Sequence, residues 1–273
     1  ECSPSPVSIM AAASMDTRRV GFIDSGLGGV SVLRQALALL PQENYIYYGD
    51  NLNAPYGDRS DEEIARLTLA ALSYLVSLGV KAIVVACNTA TATCIDAARA
   101  FYPVPVVSVE PAIKPACEAP GSGRVLMLST AATARLARYQ ALRRRMPDPD
   151  RVISVPCPGL VERIEAGVFA PDAYDDILHS LLAPYEGETV DGIVLGCTHY
   201  LFIKEAIARY AAAHFCGKAE LYDGNAATAR QLGRVLDAEG LRNPGGNAHV
   251  EFRTSGDDHM LRPIFDRLLY GPM

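Results

Sequence analysis

Short apolar runs alternate with longer amphipathic ones from residue 20 onward, and the alternation restarts once. Val20-Gly21-Phe22-Ile23-Asp24 and residues 45–48 have strand length and are rich in β-branched and aromatic residues. Residues 30–40 carry a helical stripe that stops at Pro41. Ser60 and Glu63 form a capping-box pattern ahead of Ile64, Leu67, Ala71, Leu75 and Leu78, which share one helix face, and Gly79 closes that helix. Val84-Val85-Ala86-Cys87 reads as a third strand and residues 103–110 as a fourth. Strands separated by helices predict a parallel sheet.

A Pro/Gly-rich stretch at 111–123 predicts a crossing between domains, after which the pattern begins again. It gives a strand at 124–128, a basic helix at 133–146, a strand at 152–155, helices at 160–166 and 172–182, and the strand Ile193-Val194-Leu195-Gly196-Cys197. A helix at 201–213, a strand at 220–222, a helix at 226–239 and a strand at 249–253 follow. Asp24 precedes Cys87 by 63 residues and Thr130 precedes Cys197 by 67, which points to an internal duplication. The expected fold class is therefore α/β: two pseudo-symmetric flavodoxin-like domains with mainly parallel sheets, facing each other across a cleft. Residues 18–110 with 219–273 are expected to form the first domain, the tail packing back on it, and residues 111–218 the second. Residues 1–17 are Ser/Pro/Ala-rich and lack a basic n-region and a long apolar stretch. They read as a disordered leader or a remnant outside the fold, not as a signal peptide.

Charge and cysteine usage narrow the function. The chain has 273 residues and a net charge of -6, which argues against nucleic acid or an anionic membrane as partner and leaves a small acidic substrate open. Seven cysteines are scattered with no CxxC pair, and a chain of this length needs no disulfide framework. Free thiols in a reducing cytoplasm fit that pattern. No apolar run reaches the length of a membrane span.

The chemistry concentrates at two strand ends. Cys87 is followed by Asn88 and Thr89, and 110 residues later Cys197 is followed by Thr198 and His199. Two thiols facing one bound carbon suit a racemase: one thiolate removes a proton and the other thiol delivers one to the opposite face. A free thiol titrates near 8.5, so it needs a neighbour, and Asp24, Glu165 and His199 are the candidates. Asn88, Thr89, Thr130, Thr133 and Thr198 are neutral donors at strand ends and first helical turns, able with helix amides to hold a carboxylate without a basic residue. The bland alternative for each cysteine is a small buried apolar residue, and the alternative for the pair is a two-domain protein that binds a small acid without chemistry. Gly26-Leu27-Gly28-Gly29 is reminiscent of a phosphate-binding turn but lacks a full GxGxxG and a following Walker lysine. No metal-ligand spacing occurs, and none of Lys81, Lys114, Lys204 and Lys218 has a recognisable pyridoxal-phosphate context. Neither metal nor cofactor is expected.

Several stretches together closely resemble the glutamate racemases of the cofactor-independent aspartate/glutamate racemase superfamily. They are Phe22-Ile23-Asp24-Ser25-Gly26-Leu27-Gly28-Gly29, Tyr48-Gly49-Asp50, Pro55-Tyr56-Gly57, Ala86-Cys87-Asn88-Thr89-Ala90, Val109-Glu110-Pro111, Gly196-Cys197-Thr198-His199-Tyr200 and Thr254-Ser255-Gly256-Asp257. The resemblance spans residues 20–269. It implies conversion of L-glutamate to D-glutamate for peptidoglycan, with Cys87 and Cys197 as the two acid/base residues. It implies that Asp24, Ser25, Tyr56, Gly57, Asn88, Thr89, Thr198 and His199 line the substrate site, joined by Thr130 and Thr133. Asp24 assists Cys87 by the same mapping, and Glu165 with His199 assists Cys197, Glu162 being a near competitor of Glu165. Homodimers are common in the family. An aspartate racemase is the nearest alternative within the superfamily. The chain departs from the family at Leu201, where proline is usual, and at Asp223-Gly224, where Asp-Ser is common.

Overall fold

The computed structural model describes residues 16–271, so the expectation for the start of the chain lies, up to residue 15, outside the described residues. The first half opens with β1 (Val20–Asp24), α1 (Val30–Leu39), β2 (Tyr45–Gly49), α2 (Asp61–Ser77), β3 (Ala82–Val85), α3 (Asn88–Phe101) and β4 (Val106–Ser108). Every residue of β1 and β3 is buried, as a parallel strand covered on both faces requires. The second half runs through α4 (Ile113–Glu118), β5 (Arg124–Ser129), α5 (Ala131–Arg135), α6 (Ala137–Arg144), β6 (Val152–Pro156), α7 (Leu160–Glu165), α8 (Asp175–Leu182), β7 (Val190–Leu195), α9 (Lys204–His214) and β8 (Glu220–Tyr222). The tail is α10 (Asn225–Ala238), β9 (Val250–Thr254) and α11 (Asp258–Tyr270).

All the strand pairs are parallel, in two sheets ordered β4-β3-β1-β2-β9 and β6-β5-β7-β8. Four strands of each half share one order, with β1, β2, β3 and β4 matching β5, β6, β7 and β8. The strand order reverses at β1 and β3, and at β5 and β7. Ligands of open α/β sheets sit outside the carboxyl ends of such strands. The two cysteines and the loops at Asp24 and Thr130 all lie at these ends.

Several details differ from the sequence reading. The strand Glu220–Tyr222, expected with the first domain, pairs with β7, so the second sheet takes it and the return to the first half begins after Tyr222. From there β9 pairs with β2, while α10 and α11 lie against α1. The Pro/Gly-rich crossing holds the short α4, packed on the second sheet. The helix expected at 133–146 is broken at Leu136, whose backbone is extended. That break sends Ala132 and Leu136 into a buried cluster with Tyr56, Cys87 and Ala90 of the first half; burial overrides helical propensity there. The helix expected from residue 201 starts at Lys204, after a 3-10 stretch Thr198–Ile203. The last helix, α11, was not anticipated; Asp257 caps it by accepting from the His259 N–H at 2.9 Å. Only half of the capping box forms: Ser60 accepts from the Glu63 N–H at 3.2 Å, while the Glu63 carboxylate pairs with Arg59.

Candidate active site

The first half contributes the ends of β1 and β3. Cys87 follows β3 and caps α3, its sulfur accepting from the Ala90 N–H at 3.5 Å and its thiol pointing to Ser25 Oγ at 3.7 Å. Asp24 ends β1, is fully buried, and accepts from the Gly26 N–H at 3.0 Å. Burial, helped by the negative charge of Asp24, pushes the Cys87 thiol up to about 12, against the opposing Ala90 N–H and Ser25 contacts. Burial also raises the Asp24 carboxyl above its ordinary value.

The second half surrounds its thiol differently. Cys197 Sγ lies 3.6 Å from His199 Nδ1, and His199 Nε2 lies 2.5 Å from Glu165 Oε1. The Gly28 nitrogen also comes within 3.1 Å of Nε2. One ring nitrogen cannot both accept and donate, and the shorter, charge-assisted contact assigns Nε2–H as donor to Glu165. Burial opposes charge on His199, yet its contacts with Cys197 and Glu165 hold the ring well above its ordinary value. Burial likewise opposes the Glu165 carboxylate, but His199, the Leu27 N–H at 2.6 Å and Asn51 Nδ2 at 3.0 Å bring it below its ordinary value. Both shifts describe one imidazolium–carboxylate pair. It is Glu165, not its near competitor Glu162, that touches His199.

The glycine loop after β1 reaches across to this pair. A Cβ on Gly26 would stand 2.1 Å from Glu165 Oε1, and one on Gly28 2.2 Å from His199 Nδ1. Real Cβ atoms never come so close, so the turn that resembled a phosphate cradle is a close backbone approach to Glu165 and His199.

The remaining candidates converge at the same seam. Thr198 Oγ1 reaches Asp24 Oδ1 at 3.4 Å. The hydroxyls of Thr89, Thr130 and Thr133 form a triangle with sides of 2.9, 3.1 and 3.0 Å, joining the two halves. Gly57 packs on Thr130, where a Cβ would meet the Thr130 Cβ at 2.8 Å. Asn88 Oδ1 is buried without a hydrogen-bond partner, an acceptor free for a ligand's N–H. The Tyr56 ring lies in the cluster that holds Cys87, but its hydroxyl turns away and donates to Asp50 Oδ2 at 2.6 Å.

Four residues that the sequence did not single out hold this frame. Tyr47 donates to the Gly26 carbonyl at 2.9 Å. The Ser31 hydroxyl lies 2.8 Å from the Gly28 carbonyl and 3.0 Å from that of Thr198, and accepts from Asn225 Nδ2 at 2.8 Å. Asn51 bridges to Glu165. Only Tyr47 and Asn51 had a signal, since they flank Tyr48-Gly49-Asp50. Ser31 and Asn225 look like ordinary polar residues in first helical turns.

The site is closed. Cys87 and Cys197 are 6% and 8% exposed. A cavity of about 450 Å³ has Asn51, Pro55, Glu162 and Glu165 in its wall, and neither cysteine lines it. Among the described residues, no cluster of three or more His, Cys, Asp or Glu side chains has metal-binding geometry, and no helix is long and apolar enough to cross a membrane.

Residues 20–232 match the Asp/Glu/hydantoin racemase family. The chain belongs to that family. It is 42% identical over 248 residues to a glutamate racemase of Clostridium perfringens, covering 90% of this chain and 91% of that one. The glutamate racemase of Francisella tularensis, solved in complex with D-glutamate, superposes with a TM-score of 0.80 at 27% identity, covering 95% of this chain and 96% of the other. The Escherichia coli glutamate racemase, solved with L-glutamate and the activator UDP-MurNAc-Ala, gives a TM-score of 0.77 at 29% identity over 93% and 96%. The two-sheet α/β architecture is that of these racemases.

The two departures from the family flank this geometry, Leu201 in the cluster that also holds Cys197 and Gly224 directly before Asn225. Leu201 is buried in the second-half core. At Gly224 a Cβ would meet the Glu110 carbonyl oxygen at 2.3 Å, so this loop has no room for the serine common there.

Proposed function

We propose that this protein interconverts L- and D-glutamate by a two-base proton transfer between Cys87, Cys197 and the substrate Cα. One sulfur, as thiolate, takes the α-proton and leaves a planar carbanion. The other, as thiol, gives its proton to the opposite face, and the protonation states of the two sulfurs are exchanged. Asp24 serves the Cys87 side, and the His199–Glu165 pair serves Cys197. Ser25, Tyr56, Gly57, Asn88, Thr89, Thr130, Thr133 and Thr198 surround the substrate, Asn88 Oδ1 being a ready acceptor for its ammonium group. The hydroxyl triangle of Thr89, Thr130 and Thr133 occupies the seam, so the halves part to admit substrate and the hydroxyls turn to its carboxylate. D-glutamate so made supplies peptidoglycan in the cytoplasm, where the six described cysteines, all free, stay reduced.

The observation that carries this reading is the pair of buried thiols at equivalent strand ends of two equivalent halves, each with its own titratable partner. Glutamate is expected over aspartate. Both carboxylates must be anchored while Cα stays between the sulfurs, and a shift of about 1 Å costs on the order of 100-fold. The test is polarimetry with L-glutamate and L-aspartate, together with solvent deuterium uptake at Cα. Equal kcat/KM for the two acids overturns the substrate, and absence of deuterium uptake with either overturns the chemistry.

A further inference from the structure

The strand-end motif Thr254-Ser255-Gly256 lies far along the chain from either cysteine, yet it feeds the Cys197 side of the site. The Gly256 N–H donates to Thr254 Oγ1 at 2.9 Å, and the Thr254 hydroxyl donates to Asn51 Oδ1 at 2.9 Å. Asn51 Nδ2 then donates to Glu165 Oε2 at 3.0 Å. The other oxygen of that carboxylate holds His199, whose far nitrogen faces Cys197. We propose that Asn51 is a positioning residue for the Cys197 arm, fixed by Thr254 and holding the Glu165 carboxylate against His199. The proposal rests on the assignment of Glu165 and His199 as the partners of Cys197.

The chemistry of each group fixes the direction of this chain. A carboxylate only accepts, so the amide must turn its NH2 to Glu165 and its oxygen to Thr254. A neutral donor suits the task. Arginine or lysine at this position would neutralise Glu165 and remove the charge that steadies an imidazolium, and aspartate would repel it. The amide holds one oxygen and leaves the negative charge to His199. Asn51 sits on the loop after β2, Thr254 ends β9, and Glu165 ends α7 of the second half. The contact therefore spans the seam and ties the tail strand to the proton-transfer machinery. The neighbouring Ser255 hydroxyl donates to Asp50 Oδ1 at 2.7 Å and accepts from the Leu52 N–H at 3.0 Å, which pins the loop on either side of Asn51.

Because the racemisation equilibrium constant is one, kcat/KM falls equally in both directions for any variant, and it cannot show which arm was damaged. Primary isotope effects with Cα-deuterated L- and D-glutamate can. Slowing transfer at Cys197 makes that step more rate-limiting. The effect rises for the enantiomer that Cys197 deprotonates and falls for the one that Cys87 deprotonates. For Asn51→Leu we expect kcat/KM to drop about tenfold, the scale of one lost hydrogen bond to a charged group, with the two isotope effects moving in opposite senses. Thr254→Val should give the same pattern at smaller size, and the double variant should be no worse than Asn51→Leu alone. Should Asn51→Leu fail to fold, Thr254→Val carries the same test. If Glu165→Gln is impaired while the Asn51 or Thr254 variant keeps wild-type rate and isotope effects, the proposal is wrong and the arm stands. Isotope effects that move together mean general loosening and overturn it equally. A fully active Glu165→Gln brings down the arm itself.

Discussion

Cys87 and Cys197 follow equivalent strands, β3 and β7, yet their surroundings differ in kind. The Cys87 side has a buried carboxyl, Asp24, a serine hydroxyl and a helix N-terminus that uses the sulfur as its cap. Its thiol is pushed up to about 12, chiefly by burial. The Cys197 side has an imidazole held between the sulfur and Glu165, with the glycine loop of the opposite half packed against it. The fold thus favours a proton on Cys87 and a cationic ring beside Cys197. A two-base racemase needs one thiol and one thiolate at the start of each turnover. Under the two-thiol mechanism proposed above, the two sides therefore begin each turnover with different neighbours.

The sharpest way to break the comparison is to remove a thiol. Cys87→Ala and Cys197→Ala should each lose racemisation by at least about 10³-fold, within the range that positioned acid–base groups supply. Near-normal racemisation by either variant, measured by polarimetry, ends the two-thiol reading. The partners come next. Asp24→Asn and His199→Gln should each cost about 100-fold, and their substrate isotope effects should shift in opposite senses between the enantiomers, since each cripples a different side. Identical shifts would erase the distinction between the arms.

A third expectation concerns pH and stability. A thiol raised by folding keeps its proton where the unfolded chain has lost it, from about pH 9 to about 12, so stability falls as pH rises through that window. His199 acts in the same sense, since its raised value gives stability that is present at low pH and lost as pH climbs through the folded value. Glu165, lowered, gives stability that is lost as pH falls through its folded value. Thermal melts should therefore show an alkaline decline that Cys87→Ala makes shallower. Cys157, buried and also raised to about 12, contributes its own share, so Cys157→Ser should act additively. An unchanged alkaline slope in Cys87→Ala would mean that the thiol is not held dry.

The alternation of strands and helices was legible because parallel strands buried on both faces are almost purely apolar, as β1 and β3 are. The cysteines were legible because polar residues follow each strand directly. Three things were not. The break at Leu136 depends on a core in the other half, to which local sequence is blind. Strand β8, with Glu220 exposed and Leu221 and Tyr222 only half-buried, carried no sign of which sheet it would join. The frame of Ser31, Asn225 and Asn51 acts through hydrogen bonds between residues more than a hundred positions apart, and nothing in their immediate neighbours marks that.

The smallest expected effect supplies a baseline for both arms. Gly224 caps α10 at the return from the second half to the first, directly before Asn225. Its φ of -94° is open to any residue, so a serine there meets no backbone strain. What it meets is the Glu110 carbonyl oxygen, 2.3 Å from the new Cβ, and a backbone atom cannot swing aside as a side chain can. Forced crowding of this kind costs about 1–3 kcal/mol. Serine is the better helix cap, but it exceeds glycine by only a few tenths of a kcal/mol, so the contact wins. Gly224→Ser should lower Tm by about 2–12 °C, on the scale of about 2–4 °C per kcal/mol for a chain of this size. Its kcat/KM and its isotope effects with both enantiomers should stay at wild-type values, because the crowding falls on the Glu110 carbonyl and not on the Asn225 amide that holds Ser31. An isotope effect that changes for one enantiomer alone would mean that ordinary structural damage can mimic an arm-specific defect, and the comparison between Cys87 and Cys197 would lose its reference.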